Sequence, residues 1–337
     1  MTDLAIFSKH KALTAAGAIL AVPLAAWTGF SAVSHLIYRR SNMSTASEIY
    51  FRLTRNRHKL LDPIAFDNYI LDQATTNEKT VDVPEILTFR TSVESIEMGG
   101  IQTFLLNRRD RNDRAVIFLH GGNFLRRPSI DEWKAADTIA RKTRAEVFLP
   151  MYPLAPVHTH ADAHKAVEAI YRNVVAEYGA RNVTLMGDGA GGGLAISFAQ
   201  RLHDLGLEQP SHLILVSPWV DITLGNPLVD EYEAHDPMLA SYGLRKVGVL
   251  WARGTSDHDP LVSPINGEVR HLRNVLVFAG TRELFYPDAK LIYDRIAATG
   301  IHAEFHEGRG LNHNFPFYPT PEATRALEAI ISAVTED

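Results

Sequence analysis

Between Ala115 and Val334, short apolar runs rich in β-branched residues alternate with stretches in which apolar residues return every three or four positions. The runs Ala115–Leu119, Glu146–Leu149, Val183–Met186, Leu213–Val216, Val275–Ala279 and Ala303–Phe305 predict strands. The stretches Ile130–Thr143, Asp162–Tyr178, Gly192–Leu205, Asp288–Thr299 and Pro321–Val334 carry helical periodicity. Strand–helix alternation at this spacing predicts an α/β fold, a mostly parallel central sheet with helices on both faces. Gly225–Ser256 breaks the rhythm and reads as an excursion from the sheet. Upstream, Asn42–Ile70 reads as an amphipathic helix with Ile49, Tyr50, Leu53, Leu60 and Leu61 at helical spacings, and Asp72–Pro84 as a polar linker.

The N-terminus follows a different pattern. No Asp, Glu, Lys or Arg occurs from Ala12 to Tyr38, while Lys9 and Lys11 stand on one side and Arg39 and Arg40 on the other. An apolar run of about 20 residues is long enough to cross a bilayer as a helix. The run continues past Pro23 through Phe30 to Ile37, beyond the short apolar core of a cleaved signal. It therefore reads as a retained single-pass membrane anchor. Arg39, Arg40, Arg52, Arg55 and Arg57 outweigh Lys9 and Lys11, which places the main domain on the cytoplasmic side. The expected division is 1–41 anchor, 42–84 cap helices and linker, and 85–337 main domain with an insertion at about 225–256.

Composition narrows the function classes. A net charge of −5 with no dominant basic face argues against nucleic acid as a partner. The chain has no cysteine, so disulfides, thiolate metal sites and a cysteine nucleophile are excluded. His158, His160, Asp162 and His164 straddle a loop and a helix start and read as solvated side chains; no metal ligation is assigned. Arg108, Arg109, Arg111 and Arg114 alternate with Asp110 and Asp113 and read as a hydrated turn. Trp219 and Trp251 read as core residues.

In a parallel sheet the chemistry lies in the loops beyond the strand C-termini. The strand ending at Met186 runs into Gly187-Asp188-Gly189-Ala190-Gly191-Gly192-Gly193 and then a helix. Small residues at 187 and 191 permit the tight strand-to-helix turn called a nucleophile elbow, whose central residue, here Gly189, projects into the site. The amide of Ala190 then faces the site from a helix N-terminus, where developing negative charge is favoured. Gly187, Gly189 and Gly192 also spell the dinucleotide fingerprint. That reading is the weaker one, because about 100 residues of strands and helices precede the motif and no acid follows a second strand at the required distance. A second glycine-rich turn, His120-Gly121-Gly122-Asn123-Phe124, closes another strand, and the amides of Gly121 and Gly122 are expected to join Ala190 in an oxyanion hole. Glu283 lies beyond a third strand and His313 beyond the last, and elbow, acid, histidine is the chain order of α/β hydrolases. Ser197, on the helix after the elbow, and Ser217, at another strand end, are too far from the turn to supply a nucleophile.

Six motifs carry a resemblance: His120-Gly121-Gly122, Tyr152-Pro153-Leu154-Ala155-Pro156, Gly187-Asp188-x-Ala190-Gly191-Gly192, Ser217-Pro218-Trp219-x-Asp221, Gly280-x-x-Glu283 and Gly310-x-x-His313. In this order the chain resembles the hormone-sensitive-lipase-like esterases of the α/β-hydrolase fold. The resemblance implies cofactor-free hydrolysis of carboxylic esters, with a lipophilic ester as substrate and acetyl esters among the candidates. It also implies His313 as base, Glu283 as its orienting acid, and a cap formed by the N-terminal helices and the segment after Ser217-Pro218-Trp219. Two departures stand out. Asn123 replaces a third glycine, and Gly189 replaces the family's serine. Without Oγ no acyl-enzyme forms, so the chain as written is expected to be inactive or very weak. The alternative is a non-catalytic pseudohydrolase or receptor that keeps the pocket for a small ligand.

Overall fold

A computed structural model of the chain describes residues 24–54 and 57–336. The first described element is α1, Leu24–Ala32, which passes into a π-helical turn at Val33–Ile37. Three helices follow: α2 (Asn42–Thr54), α3 (His58–Leu61) and α4 (Pro63–Asn77), in the segment expected to form the cap. The single helix expected over Asn42–Ile70 is thus divided. Asp62 accepts a hydrogen bond from the amide of Ala65 and Pro63 occupies the first turn, so a new helix starts there. The same helix runs to Asn77, into the stretch read as linker.

Eight strands form one sheet: β1 (Val93–Met98), β2 (Ile101–Leu106), β3 (Ala115–Leu119), β4 (Glu146–Pro150), β5 (Val183–Asp188), β6 (His212–Val216), β7 (Val275–Gly280) and β8 (Ala303–Gly308). Their order is β1-β2-β4-β3-β5-β6-β7-β8. The first two strands and the β2–β4 pair are antiparallel, and every other pair is parallel. The central strands are buried on both faces, which is why they read as unbroken apolar runs. Alternate residues feed two layers. Val116 and Phe118 meet α5 (Ile130–Thr143) and α11 (Pro321–Thr335) on one side. Ile117 and Leu119 meet α6 (His160–Tyr178) and α7 (Gly189–Arg201) on the other, the layer that α10 (Tyr286–Ala297) also joins. Between β6 and β7 the chain leaves the sheet for α8 (Val229–Glu233) and α9 (Ser241–Ala252), the expected excursion.

The chain runs from β3 to β4 on one flank and on to β5 on the other. The loops after β3 and β5 therefore meet at the switch point of the sheet, where parallel sheets open a crevice.

Of the apolar segment read as a membrane span, residues 12–23 lie outside the described residues. Among the described residues no helix is long and apolar enough to cross a membrane. Trp219 and Trp251 are core residues as expected, stacked in line with Phe124. The histidine reading needs correction. His158 is partly exposed, but His160 and His164 are buried and bonded through Nε2 to Thr255 and to the Leu261 carbonyl. Among the described residues no cluster of side chains has the form of a metal site.

Candidate active site

The elbow forms as the glycines require. At Gly191 a Cβ would collide with the carbonyl oxygens of Leu119 and His120, and at Gly187 with the backbone of Gly191. Strand β5 and helix α7 therefore approach more closely than any side chain allows. Gly189 takes a left-handed φ of +50°, and a Cβ built on it would lie 3.3 Å from Nε2 of His313. The other imidazole nitrogen, Nδ1, lies 2.7 Å from Oε2 of Glu283. Glu283 is fully buried, and its Oε1 accepts the amide of Gly280 at 2.8 Å. The three sequence-predicted residues, 94 and 30 positions apart along the chain, converge in one place.

The loops that carry them are cross-braced. Thr281 donates its amide to Gly308 O and Arg282 donates its amide to Leu311 O, while Gly310 donates to Thr281 Oγ1. Asn314 donates its amide to Ser217 Oγ, and the Phe285 ring meets His313 edge-on. Ser217 thus supports the histidine loop. Ser197 bonds to carbonyls at Pro260 and Leu261, away from the site. Neither hydroxyl replaces the one Gly189 lacks.

The oxyanion reading needs correction at one residue. The Gly121 amide donates to both Asp188 Oδ1, at 2.9 Å, and Glu132 Oε1, at 2.5 Å, and is not available to a ligand. The loop then curls through positive φ at Gly122, Asn123 and Phe124. Among the described residues the amides of Gly122 and Asn123 have no protein acceptor. The Ala190 amide is one of the orphan donors of the first turn of α7. Asn123 was therefore missed as a donor because it is not a glycine, although its backbone takes the required conformation.

Two further acids were missed. Asp188 is wholly buried beside Glu132, and burial together with the neighbouring carboxylate pushes its pKa well up. A shared proton relieves the repulsion and keeps both oxygens on the Gly121 amide. Asp236 is also wholly buried. It accepts the amides of Met238 and Leu239 through Oδ1 and that of Leu284, next to Glu283, through Oδ2. Burial raises its pKa to about 6, against the pull of His313 and those amides. Asp188 stands inside the elbow motif, a visible signal, whereas nothing local in the sequence singles out Asp236.

A cavity of about 300 Å³ opens over His313, bounded by Tyr50, Phe51 and Tyr69 from the cap and by Gly122, Asn123 and Met238. A larger cleft around Arg108–Asp113 and Tyr178 is open polar surface without site residues. A partly open, mixed apolar and polar chamber over a buried histidine–carboxylate pair suits a small acyl group.

A family model described as the α/β hydrolase fold matches residues 116–317. A triacylglycerol lipase of Mycobacterium tuberculosis is 32% identical over 167 residues, 49% of this chain and 34% of that lipase, so the chain spans about a third of its length. An acetyl-hydrolase of Streptomyces hygroscopicus is 28% identical over 222 residues, 65% of this chain and 74% of that one. Among solved structures, a candidate esterase from Staphylococcus aureus is 32% identical, covers 82% of this chain and 94% of that one, and superposes with a TM-score of 0.79. With its elbow, acid and histidine in family order and a family model matching more than half its length, the chain is a member of the hormone-sensitive-lipase-like group of α/β hydrolases.

Proposed function

We propose that the site hydrolyses small lipophilic carboxylic esters, and that Gly189 deprives it of the covalent route. The observation that carries this reading is the alignment of the Gly189 Cβ direction, His313 Nε2, His313 Nδ1 and Glu283 Oε2. A serine at position 189 would place its hydroxyl within reach of Nε2, the relation between nucleophile and base. His313 takes the proton of the attacking group, Glu283 fixes the tautomer that leaves Nε2 free to accept it, and the amides of Gly122, Asn123 and Ala190 hold the oxyanion. With Gly189 the attacking group is water. Nε2 takes its proton, hydroxide adds to the carbonyl carbon, and the tetrahedral intermediate expels the alcohol, which recovers the proton from the imidazolium. Loss of a triad nucleophile costs about 10⁶ in turnover, with ~10³–10⁴ over water left to the oxyanion hole and binding.

The test is p-nitrophenyl acetate turnover by the chain as written and by Gly189→Ser. A gain of about 10⁴–10⁶ in kcat is expected. Gly189 itself favours the second reading, a pocket kept for ligand binding. No activity in either protein, with tight binding of an apolar ester analogue, would establish that one. The reading also includes the division 1–41, 42–84 and 85–337, and an N-terminal anchor in residues 12–38 with the main domain on the cytoplasmic face. Extraction of the full chain from membranes by carbonate or only by detergent tests the anchor.

A further inference from the structure

Helix α2 is inside out. The side it turns to the protein carries Ser44, Thr45 and Glu48, and the side it turns outward carries Met43, Ile49, Tyr50 and Leu53, with Leu53 75% exposed. The inward side is fixed by charge. Glu48 meets the guanidiniums of Arg40, Arg52 and Arg282, Thr45 accepts from Arg40, and Ser44 donates to Glu322. Rotating the helix to hide its apolar side would leave those groups without partners, so the helix is held with that side outward. An outward apolar stripe on a helix locked by ion pairs is unusual for a surface bathed in water.

We propose that this outer face lies on an anionic lipid surface, with α2 in the interfacial plane. Two independent observations choose lipid over other occupants. The stripe continues the uncharged run of residues 12–38 through Leu36 and Ile37, both exposed. From residue 24 to residue 61 the chain holds six Lys and Arg against one carboxylate, Glu48, and that one is buried and paired, although the chain as a whole is at −5. Arg40, Arg52 and Arg57 are paired with Glu48 and Glu233, and Arg39 and Lys59 stay exposed beside the stripe. Apolar residues on one side with an excess of cations around them are the features of an interfacial helix. Tyr50 is both on the outward face and on the wall of the cavity above His313. The cavity mouth therefore opens at the lipid surface, and its substrate is an ester dissolved in the membrane. This last step rests on the hydrolase reading; the position of α2 does not.

The cysteine-free chain allows single labels. Full-length Leu53→Cys and Ile49→Cys, each carrying an environment-sensitive fluorophore, are mixed with phosphatidylcholine/phosphatidylglycerol vesicles with or without brominated acyl chains. Val249→Cys, exposed on α9, is the control. The expected result is a blue shift and loss of emission to brominated lipid at 53 and 49, and neither at 249. Water-like emission at 53 and 49 with vesicles present, or equal quenching at 249, overturns the proposal. So does a label already shielded before lipid is added, with cross-linking from the thiol at position 53 to a second copy or to residues 1–23. The readout involves no turnover, so failure of Gly189→Ser to hydrolyse esters leaves this result standing, and the reverse also holds.

Discussion

Glu48 joins the cap to the catalytic loops, and its removal is the sharpest test of how the site is held. Its carboxylate lies 2.7 Å from Arg40, 2.8 Å from Arg52 and 2.9 Å from Arg282. Arg40 also donates to Gly310 O, three residues before His313, and Arg282 adjoins Glu283. Both guanidiniums stack on the Tyr38 ring. In Glu48→Gln the Arg40 side chain, 1% exposed, keeps its charge without a counter-ion. Breaking one partner of a buried pair costs about 3–5 kcal/mol; since Gln can still accept one bond and Arg52 can turn to water, the lower end, about 3 kcal/mol, applies. The pH dependence follows from the same contacts. Burial opposes ionisation of Glu48, but the three guanidiniums win and lower its pKa to about 2, from 4.5. A depressed folded-state pKa gives stability that is complete above the unfolded value and lost as pH falls toward the folded one. By about pH 3 the native protein should have lost most of that contribution, about 1–2 kcal/mol after discounting for the half-exposed Arg52, and the variant none of it. Urea unfolding followed by tryptophan fluorescence at pH 7, 5 and 3 measures both effects. A loss below about 0.5 kcal/mol at pH 7, or a gap between the two proteins that does not narrow in acid, refutes the reasoning.

Gly191→Ala should fail to fold or lose more than about 4 kcal/mol, because backbone carbonyls at the end of β3 block the methyl group. Gly206→Ala, with open space around it but φ of +64°, should lose only about 1 kcal/mol; soluble yield and thermal melts separate the two. In the Gly189→Ser background, Glu283→Gln should lower kcat by about 10³–10⁴ with the fold intact by circular dichroism, because the amide oxygen stays on the Gly280 N–H and the NH2 group donates to Nδ1, which fixes the tautomer with Nε2 protonated. Asp236→Asn should cost about 1–3 kcal/mol at pH 4.5, since the Leu284 amide loses its acceptor. Its wild-type pKa is raised to about 6, so the native carboxyl contributes most below the unfolded value and less as pH rises through 6. The penalty of the substitution should therefore shrink toward neutral pH, as paired denaturation curves would record.

Strands β3 to β7 were legible because strands buried on both faces must be apolar nearly throughout, whereas β8, a half-exposed edge strand, was read only over Ala303–Phe305. The hairpin β1–β2 was not. Val93–Met98 is an edge strand, half exposed and half polar, and its sequence Val-Glu-Ser-Ile-Glu-Met carries no run to detect. The triad positions were legible because chain order and strand-end placement constrain them together. Of the oxyanion donors, Gly122 and Ala190 were named from the sequence, but Gly121 was named in place of Asn123, since which of three successive amides faces the cavity depends on loop torsions. Periodicity found the apolar stripe of Asn42–Ile70 but could not say which way it faces. The partners that hold Glu48 inward lie at residues 40, 52 and 282, and only the fold brings the last of these near.

The most direct test of the convergence of 189, 313 and 283 is covalent capture by a fluorophosphonate, read by intact mass and peptide mapping. Gly189→Ser should gain one phosphonyl group on residue 189, and adding His313→Ala should abolish it. The chain as written should gain none. Labelling elsewhere, or a folded Gly189→Ser protein whose new hydroxyl stays unmodified, would contradict the assignment.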